Sequence, residues 1–430
     1  MPASVPPPDV PLSFLAAGGV GLVGAGVAVA LVGRHLVAAP TDDAPIAAVH
    51  LVMLAFLSTG VLGAFHQFAA VVGRRALRSV AVARLSFGLI VAGCWALPAG
   101  FAAGADHVVA VAGAVLTVGF ALAAWNLTGP LWGPGRGPSV TGLRLSLAGL
   151  LATAGFGVTY AFDRQAGEQW FGLDPHVVLA HAHIGLIAWL GLTYVAVAEK
   201  LWPMFLLAHR PGRSPGALAV WLLPAGVVVL VTGLMGAWRG PVLAGAVVVA
   251  AGMAAHVASF CGLVRHRRRP LELLHAFVLT SMGFLAAAAA FAAVAGLAPI
   301  GTAVRSRMVS AEVAALAAWL GLALVGHAHK VVPFISWGIL RARGIKTGAD
   351  GRPLLFTHLW DRRAGRLTYL AATAGFVGVV TGLAGGWADP VTAGGAALAV
   401  AGATALANLG LGPGRAARGA VVVATRTSQS

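Results

Sequence analysis

The stretch His181 to Gly191, H-A-H-I-G-L-I-A-W-L-G, lies inside an apolar run from Pro175 to Leu207 and sets two histidines in a segment long enough to cross a bilayer. Ionisable groups in hydrocarbon are costly, rare and as a rule functional. The same short string returns twice. Ala55-Phe56-Leu57-Ser58 and Ala318-Trp319-Leu320-Gly321 align without gaps on Ala188-Trp189-Leu190-Gly191, and the register continues in both directions. Downstream, His66-Gln67 falls on Glu199-Lys200 and on His329-Lys330, and Pro203 falls on Pro333, with Ala70 at that position of the first copy. Upstream, His50 falls on His183 and on Val313, at offsets of 133 and 130 residues. Self-similarity at a nearly fixed period is the mark of a repeat architecture.

Each offset holds four apolar runs. The chain of 430 residues is 59% hydrophobic and 10% charged, with a mean hydropathy of +0.87, far from the balance of a water-soluble domain. Runs of adequate length for a membrane helix cover Leu12 to Val32, Ile46 to Val72, Val80 to Ala99, His107 to Leu127, Val140 to Ala161 and Pro175 to Leu207 in the first half. The second half has Ala217 to Ala237, Val242 to Leu263, Leu271 to Leu297, Met308 to Ile335, Leu367 to Leu383 and Pro390 to Leu411. The expected fold is an all-α polytopic membrane protein, a single transmembrane domain over 1–430. Its twelve helices form three pseudo-repeats of four, at about 12–127, 140–263 and 271–411.

A net charge of +16 raises the question of a nucleic-acid partner, and the placement of the charge answers it. Arg74, Arg75 and Arg78, then Arg136 and Arg144, Arg210 and Arg213, Arg265 to Arg269, Arg341 to Arg366 and Arg415 to Arg426 all follow even-numbered spans. The alternate loops hold only Arg34, Arg164, Arg239, Arg305 and Arg307, and one of them gathers Asp163, Glu168 and Asp174. Positive charge on one side only is the signature of membrane topology. It places both termini in the cytoplasm and the protein in the cytoplasmic membrane, with lipid and not nucleic acid as its surroundings. The proline-rich start has no basic region or small-residue cleavage site, so no removable signal peptide is expected. Cys94 and Cys261 both fall inside spans, which argues against a disulfide framework or a thiolate metal site.

Three units of four helices, with histidines on the second helix of a unit, resemble the catalytic subunit of the haem-copper oxidase superfamily. The most specific match is H-A-H-I-G-L-I-A-W from His181 to Trp189 with Pro203 closing the helix. It resembles the H-x-H-x-G-x-x-x-W motif, ending in proline, of the high-affinity cytochrome oxidases and the nitric oxide reductases; the chain is also similar, at fewer positions, to NnrS-type haem- and copper-containing proteins. The resemblance implies haem b, with copper as an open second cofactor. It implies His183 and His50 as ligands of a low-spin haem and His181 as a ligand toward a second site. Geometry is compatible with that division, because histidines two apart on a helix point about 200° away from each other.

The departures from the family pattern are specific. The motif sits on the sixth span rather than the tenth, where Ala311, Glu312 and Val313 stand at that depth. The seventh span has no histidine, and Gly185 and Ile187 occupy the places where a tyrosine would follow the paired histidines by four residues. A conventional oxygen-reducing centre is therefore not expected.

For His50, His181 and His183 the structural alternative is packing or hydrogen bonding within the bundle; their cost in lipid and their repeat register favour ligation. His176 and His107 open their spans and read as interfacial side chains. His66, Glu199, His327 and His329 form a separate layer about 24 Å away along the helices, where a second metal site or a proton uptake point competes with the simpler reading of polar helix ends reaching water. Lys200 and Lys330 read as snorkelling anchors, and His256 and His275 have no assigned role. Arg305, Arg307 and Glu312 lie at the outer end of the tenth span, where the arginines are candidates for haem propionates and Glu312 for a metal, with ordinary loop charges as the alternative. Two functions follow. One is a haem-binding membrane redox protein, with copper as an open second cofactor, in nitric oxide or respiratory chemistry, with an electron-donor protein or partner subunit. The other is a transporter or sensor that needs the histidines for proton or metal passage.

Overall fold

The structure, a computed structural model, describes residues 5–167, 175–208, 214–348 and 351–427. Glu168, Asp174, Arg210 and Arg213, counted above among the loop charges, lie outside the described residues, as do the side chains of Arg415, Arg418 and Arg426. Among the described residues twelve helices are long and apolar enough to cross a membrane: α1 Asp9–Ala38, α2 Asp43–Gly73, α3 Val80–Ala102, α4 Asp106–Leu131, α5 Pro138–Ala166, α6 His176–Leu206, α7 Pro215–Met235, α8 Arg239–Arg265, α9 Leu273–Leu297, α10 Thr302–Ala342, α11 Arg362–Gly385 and α12 Ala388–Gly414. The protein is an all-α integral membrane protein.

Each helix matches one expected span: nine contain it whole, and α6, α7 and α9 fall one or two residues short of it at an end, while several of the others run further. α10 covers 41 residues where Met308 to Ile335 were expected, because nothing between Thr302 and Met308 breaks a helix and Pro333 is accommodated inside it. Arg305 and Arg307 are thus helical rather than in a loop, and Asp163 and Arg164 sit in the last turn of α5.

The repeat register has physical counterparts. α2, α6 and α10 are the buried helices, with 61%, 67% and 61% of their apolar windows inside the protein against 28–50% for the other nine. They touch one another at the centre, while α4 packs on α5, α8 on α9, and α12 back on α1, so that the arcs close into a ring. At the hub the Trp189 indole N–H donates to the Ser58 hydroxyl at 3.2 Å, joining α6 to α2, and Phe65 stacks on Trp189. The third helix of each arc starts on a polar N-cap: Ser79, Ser214 and Asp361 accept backbone N–H bonds from their own first turns. Two of these caps are also held by the fourth helix of their arc. Asn126 accepts the Ser79 N–H at 2.8 Å and Asn408 the Asp361 N–H at 2.7 Å, each 47 residues downstream.

One feature of the central helices is absent from any reading of the spans. Residues Leu51–Ser58 of α2 and Ile184–Gly191 of α6 are π-helical, and each segment begins directly after a histidine, His50 or His183. A π-helical turn widens the backbone and re-aims the side chains beyond it, and such turns concentrate at functional sites. Small residues let the neighbouring helices close on these wider segments. Gly149 of α5 lies so near that a Cβ there would stand 2.5 Å from the Ala188 carbonyl oxygen, and Gly21 of α1 abuts the equivalent Ala55 carbonyl. α10, which carries Val313 at this register, stays α-helical throughout.

Candidate functional site

The histidine layer at the end of the bundle away from the arginine-rich turns, labelled the outer layer, is built from α2, α5, α6 and α10. The His50 Nδ1–H donates to the Ile46 carbonyl at 2.8 Å and His183 Nδ1–H to the Leu179 carbonyl at 2.8 Å. A carbonyl cannot donate, so each bond keeps a proton on Nδ1; in the neutral ring Nε2 then carries the lone pair, as a metal-bound histidine requires. The ring of His50 stacks on Phe101 with centroids 5.2 Å apart. His181 stacks on Phe156 of α5, its Nδ1 is buried without a hydrogen-bond partner, and it lies within electrostatic range of His50. His183 turns the other way, toward α10, where its Nε2 meets the Glu312 carboxylate at 3.4 Å. The divergence of the two α6 histidines follows from their spacing. Of the two, the structure brings His181 near His50 and brings His183 to Glu312.

Packing differs sharply between the two halves of the central helices. Residues 49–54 of α2 and 312–314 of α10 keep partial accessibility although both helices are central, while 55–60 and 315–323 are completely buried. Residues 153–160 of α5 beside them are likewise only partly covered. The outer half therefore has loosely covered apolar walls next to imidazole nitrogens, a donor set and setting that fit a haem.

Arg305 and Arg307 are engaged elsewhere. Arg305 donates to the Ala295, Ala298 and Ile300 carbonyls, and Arg307 to the Gly385 carbonyl at 3.1 Å, so they cap the C-terminal ends of α9 and α11. Arg164, read from the sequence only as a loop charge, shares the Phe101 ring with His50. It grips Asp43 at the start of α2 with two bonds of 2.7 and 2.8 Å and Asp106 at the start of α4 at 2.6 Å, and lies over the Phe101 ring on which His50 stacks.

The inner layer is more buried. His66 and His329 each give Nδ1–H to a carbonyl one turn back, Leu62 at 2.8 Å and Val325 at 2.9 Å, and each stacks on a phenylalanine of the first helix of its arc, Phe14 or Phe277. Glu199, at the same repeat position in α6, instead accepts from the Ser259 hydroxyl at 2.9 Å. His327 donates to Ala323, and the Nε2 atoms of His66, His327 and His329 are buried without a partner. His66, Glu199 and His329 face their own arcs, whereas His327 packs against Tyr194 and Phe205 of α6, and among the described residues no three His, Cys, Asp or Glu side chains group as a metal site.

The inner groups are not solvated helix ends: Lys330 is 8% exposed, paired with Glu272 at 2.8 Å and set over the Phe205 ring, while Lys200 is exposed. His275 is a capping group, accepting the Glu272 N–H at 2.8 Å. His107 is exposed, on an apolar groove between α3 and α4. His256, a lone histidine in an apolar run and so without any sequence signal beyond its cost in lipid, proves completely buried against Tyr194, Trp202 and Trp319 with both ring nitrogens unpartnered.

Compared with protein-family models and with curated proteins, the chain matches none.

Proposed function

We propose that this protein is a haem-binding membrane redox protein of the haem-copper oxidase type, working in nitric oxide or respiratory chemistry without a conventional oxygen-reducing centre. The observation that carries this reading is the paired environment of His50 and His183: one repeat register, one Nδ1-to-carbonyl bond each, and a π-helical segment immediately after each.

His50 of α2 and a histidine of the His181-Ala182-His183 stretch of α6 would hold the haem. The register favours His183, and the buried, unpartnered Nδ1 of His181 favours His181. Phe101 orients the His50 ring, and Glu312 holds or releases a proton at His183 Nε2, so the freedom of that nitrogen to ligate depends on their partnership. Haem in this position supplies one-electron transfer and the binding of a diatomic gas. Electrons arrive from a donor protein or partner subunit, and copper is a second cofactor to be sought in the same preparation.

The test is the absorption spectrum of detergent-purified protein from haem-replete cells, with metal analysis on the same sample. A Soret band with bis-histidine features is expected, lost or shifted in His50→Ala and in either His183→Ala or His181→Ala, and unchanged in His107→Ala. Colourless, metal-free protein would instead favour a transporter or sensor whose histidines carry protons or metal ions. Normal spectra in all three ligand variants would refute the haem assignment.

A further inference from the structure

At the arginine-rich end of the bundle, the turn between α2 and α3 lies against α4 and borders an open cleft of about 430 Å³, lined by Arg75, Ala76, Leu77, Arg78, Trp125 and Gly129. The turn sits this close because residue 129 lacks a side chain: a Cβ there would meet Arg78 Cγ at 2.9 Å and Arg78 N at 3.0 Å. Arg78 is held in place. Its Nε donates to the Thr128 hydroxyl at 2.6 Å and its guanidinium lies 5.4 Å from the centre of the Trp125 ring. The terminal nitrogens of Arg78 and the whole Arg75 guanidinium have no hydrogen-bond or ion-pair partner among the described residues, and no acidic side chain lines the cleft. Two unpaired forks converging on one concave space form a receptor for an oxyanion with several oxygens.

The source of that oxyanion is indicated by α4. Its large exposed apolar side chains, Val111 at 62%, Val118 at 53% and Trp125 at 48%, recur every seven residues and so form a stripe on one face of the helix. The stripe ends at the cleft. Indoles settle at the headgroup level of a bilayer, which sets the cleft at phosphate depth with apolar surface leading from it into the hydrocarbon. We infer that the cleft binds the phosphate of an anionic phospholipid, whose acyl chain lies along α4 over Val118. Trp125 is the hinge between the two parts of the site.

The full chain, delipidated in detergent, is titrated with short-chain phosphatidylglycerol, with phosphatidylcholine of the same chain length and with inorganic phosphate, with bound species read by native mass spectrometry. Phosphatidylglycerol is expected to bind in preference to phosphatidylcholine, and binding should weaken by about fivefold for each arginine removed in Arg75→Gln and Arg78→Gln. Arg362→Gln with Arg363→Gln, exposed at the same end of the bundle on α11, should leave it unchanged. Arg75→Gln alone keeps the test decisive if the Arg78 variant unfolds, since Arg75 has no partner to lose. Equal weakening by the α11 pair would overturn the inference in favour of a diffuse basic collar, and inorganic phosphate binding as tightly as the lipid would overturn it in favour of a soluble ligand. Unchanged lipid binding in folded Arg75→Gln would refute it outright.

Discussion

Replacing Gly149 by alanine adds one methyl group at the contact of α5 with the π-helical segment of α6. The new Cβ would stand 2.5 Å from the Ala188 oxygen, 2.6 Å from its carbon and 2.9 Å from the Trp189 nitrogen. Ordinary contact begins near 3.4 Å, so the two backbones must part by about 0.9 Å. All three obstacles are backbone atoms, which cannot rotate aside, and the upper part of the overpacking range applies, about 2–3 kcal/mol. Alanine returns about 1 kcal/mol of helix propensity, leaving a net loss of about 1–2 kcal/mol. Gly155 on the same helix provides the control, because a Cβ there meets nothing within 4 Å. Gly155→Ala should therefore stabilise by about 0.5–1 kcal/mol. Equilibrium unfolding of the two variants in one detergent measures the difference, and it should be of opposite sign in the two. A Gly149→Ala protein as stable as the parent would show that α5 and α6 are not in the contact described. Because the strained carbonyl lies just beyond His183, the variant should also shift the haem spectrum where Gly155→Ala does not.

Tags after Ser430 and in the Gln165 to Glu168 loop should be labelled from opposite sides of intact cells; labelling from the same side would contradict twelve crossings. Arg164→Gln should destabilise the protein by about 1–3 kcal/mol, since it leaves the carboxylates of Asp43 and Asp106 without their shared cation. Adding Asp43→Asn should recover part of that loss in an unfolding titration, and no recovery would place the effect elsewhere. The purified protein supplied with a reduced donor should show no steady cyanide-sensitive oxygen uptake. α7 offers no histidine, and Tyr194 lies 11 residues beyond His183, about 16 Å along the helix. Uptake that disappears in His181→Ala would show that a working centre has been assembled from other residues.

The spans were legible because lipid imposes one rule on every residue of a crossing helix, and the kinship of α2, α6 and α10 was legible as a shared apolar string, though not that these three form the centre of the bundle. Helix ends were less so: the extension of α10 to Thr302 and of α5 to Ala166 depends on interfacial residues that suit helix and loop equally. The π-helical segments were not legible at all, since Leu51–Ser58 and Ile184–Gly191 owe their width to what Gly21 and Gly149 allow across a tertiary contact. His50, His181 and His183 stood out as polar groups in apolar runs. Their aromatic partners did not, because Phe101 and Phe156 come from helices whose facing sides only the packed bundle defines, and Glu312 stood out by its depth but not as the partner of His183. Arg164 read as an ordinary loop charge for the same reason: both its carboxylate partners are far away in sequence.

α12 packs along α1 where the chain ends meet, as α4 packs on α5 and, far less extensively, α8 on α9. After an even number of crossings the start of α1 and the end of α12 lie on the same side of the membrane, so a short linker can join them. Around such a ring the place where the polypeptide is cut is a matter of gene order, not of architecture. A circular permutant opened between Leu131 and Pro138 would start with what is now the second arc and end with the first, keeping every interhelical contact. Its insertion order would change, and with it the sequence in which the helices of His50 and His183 meet the bilayer.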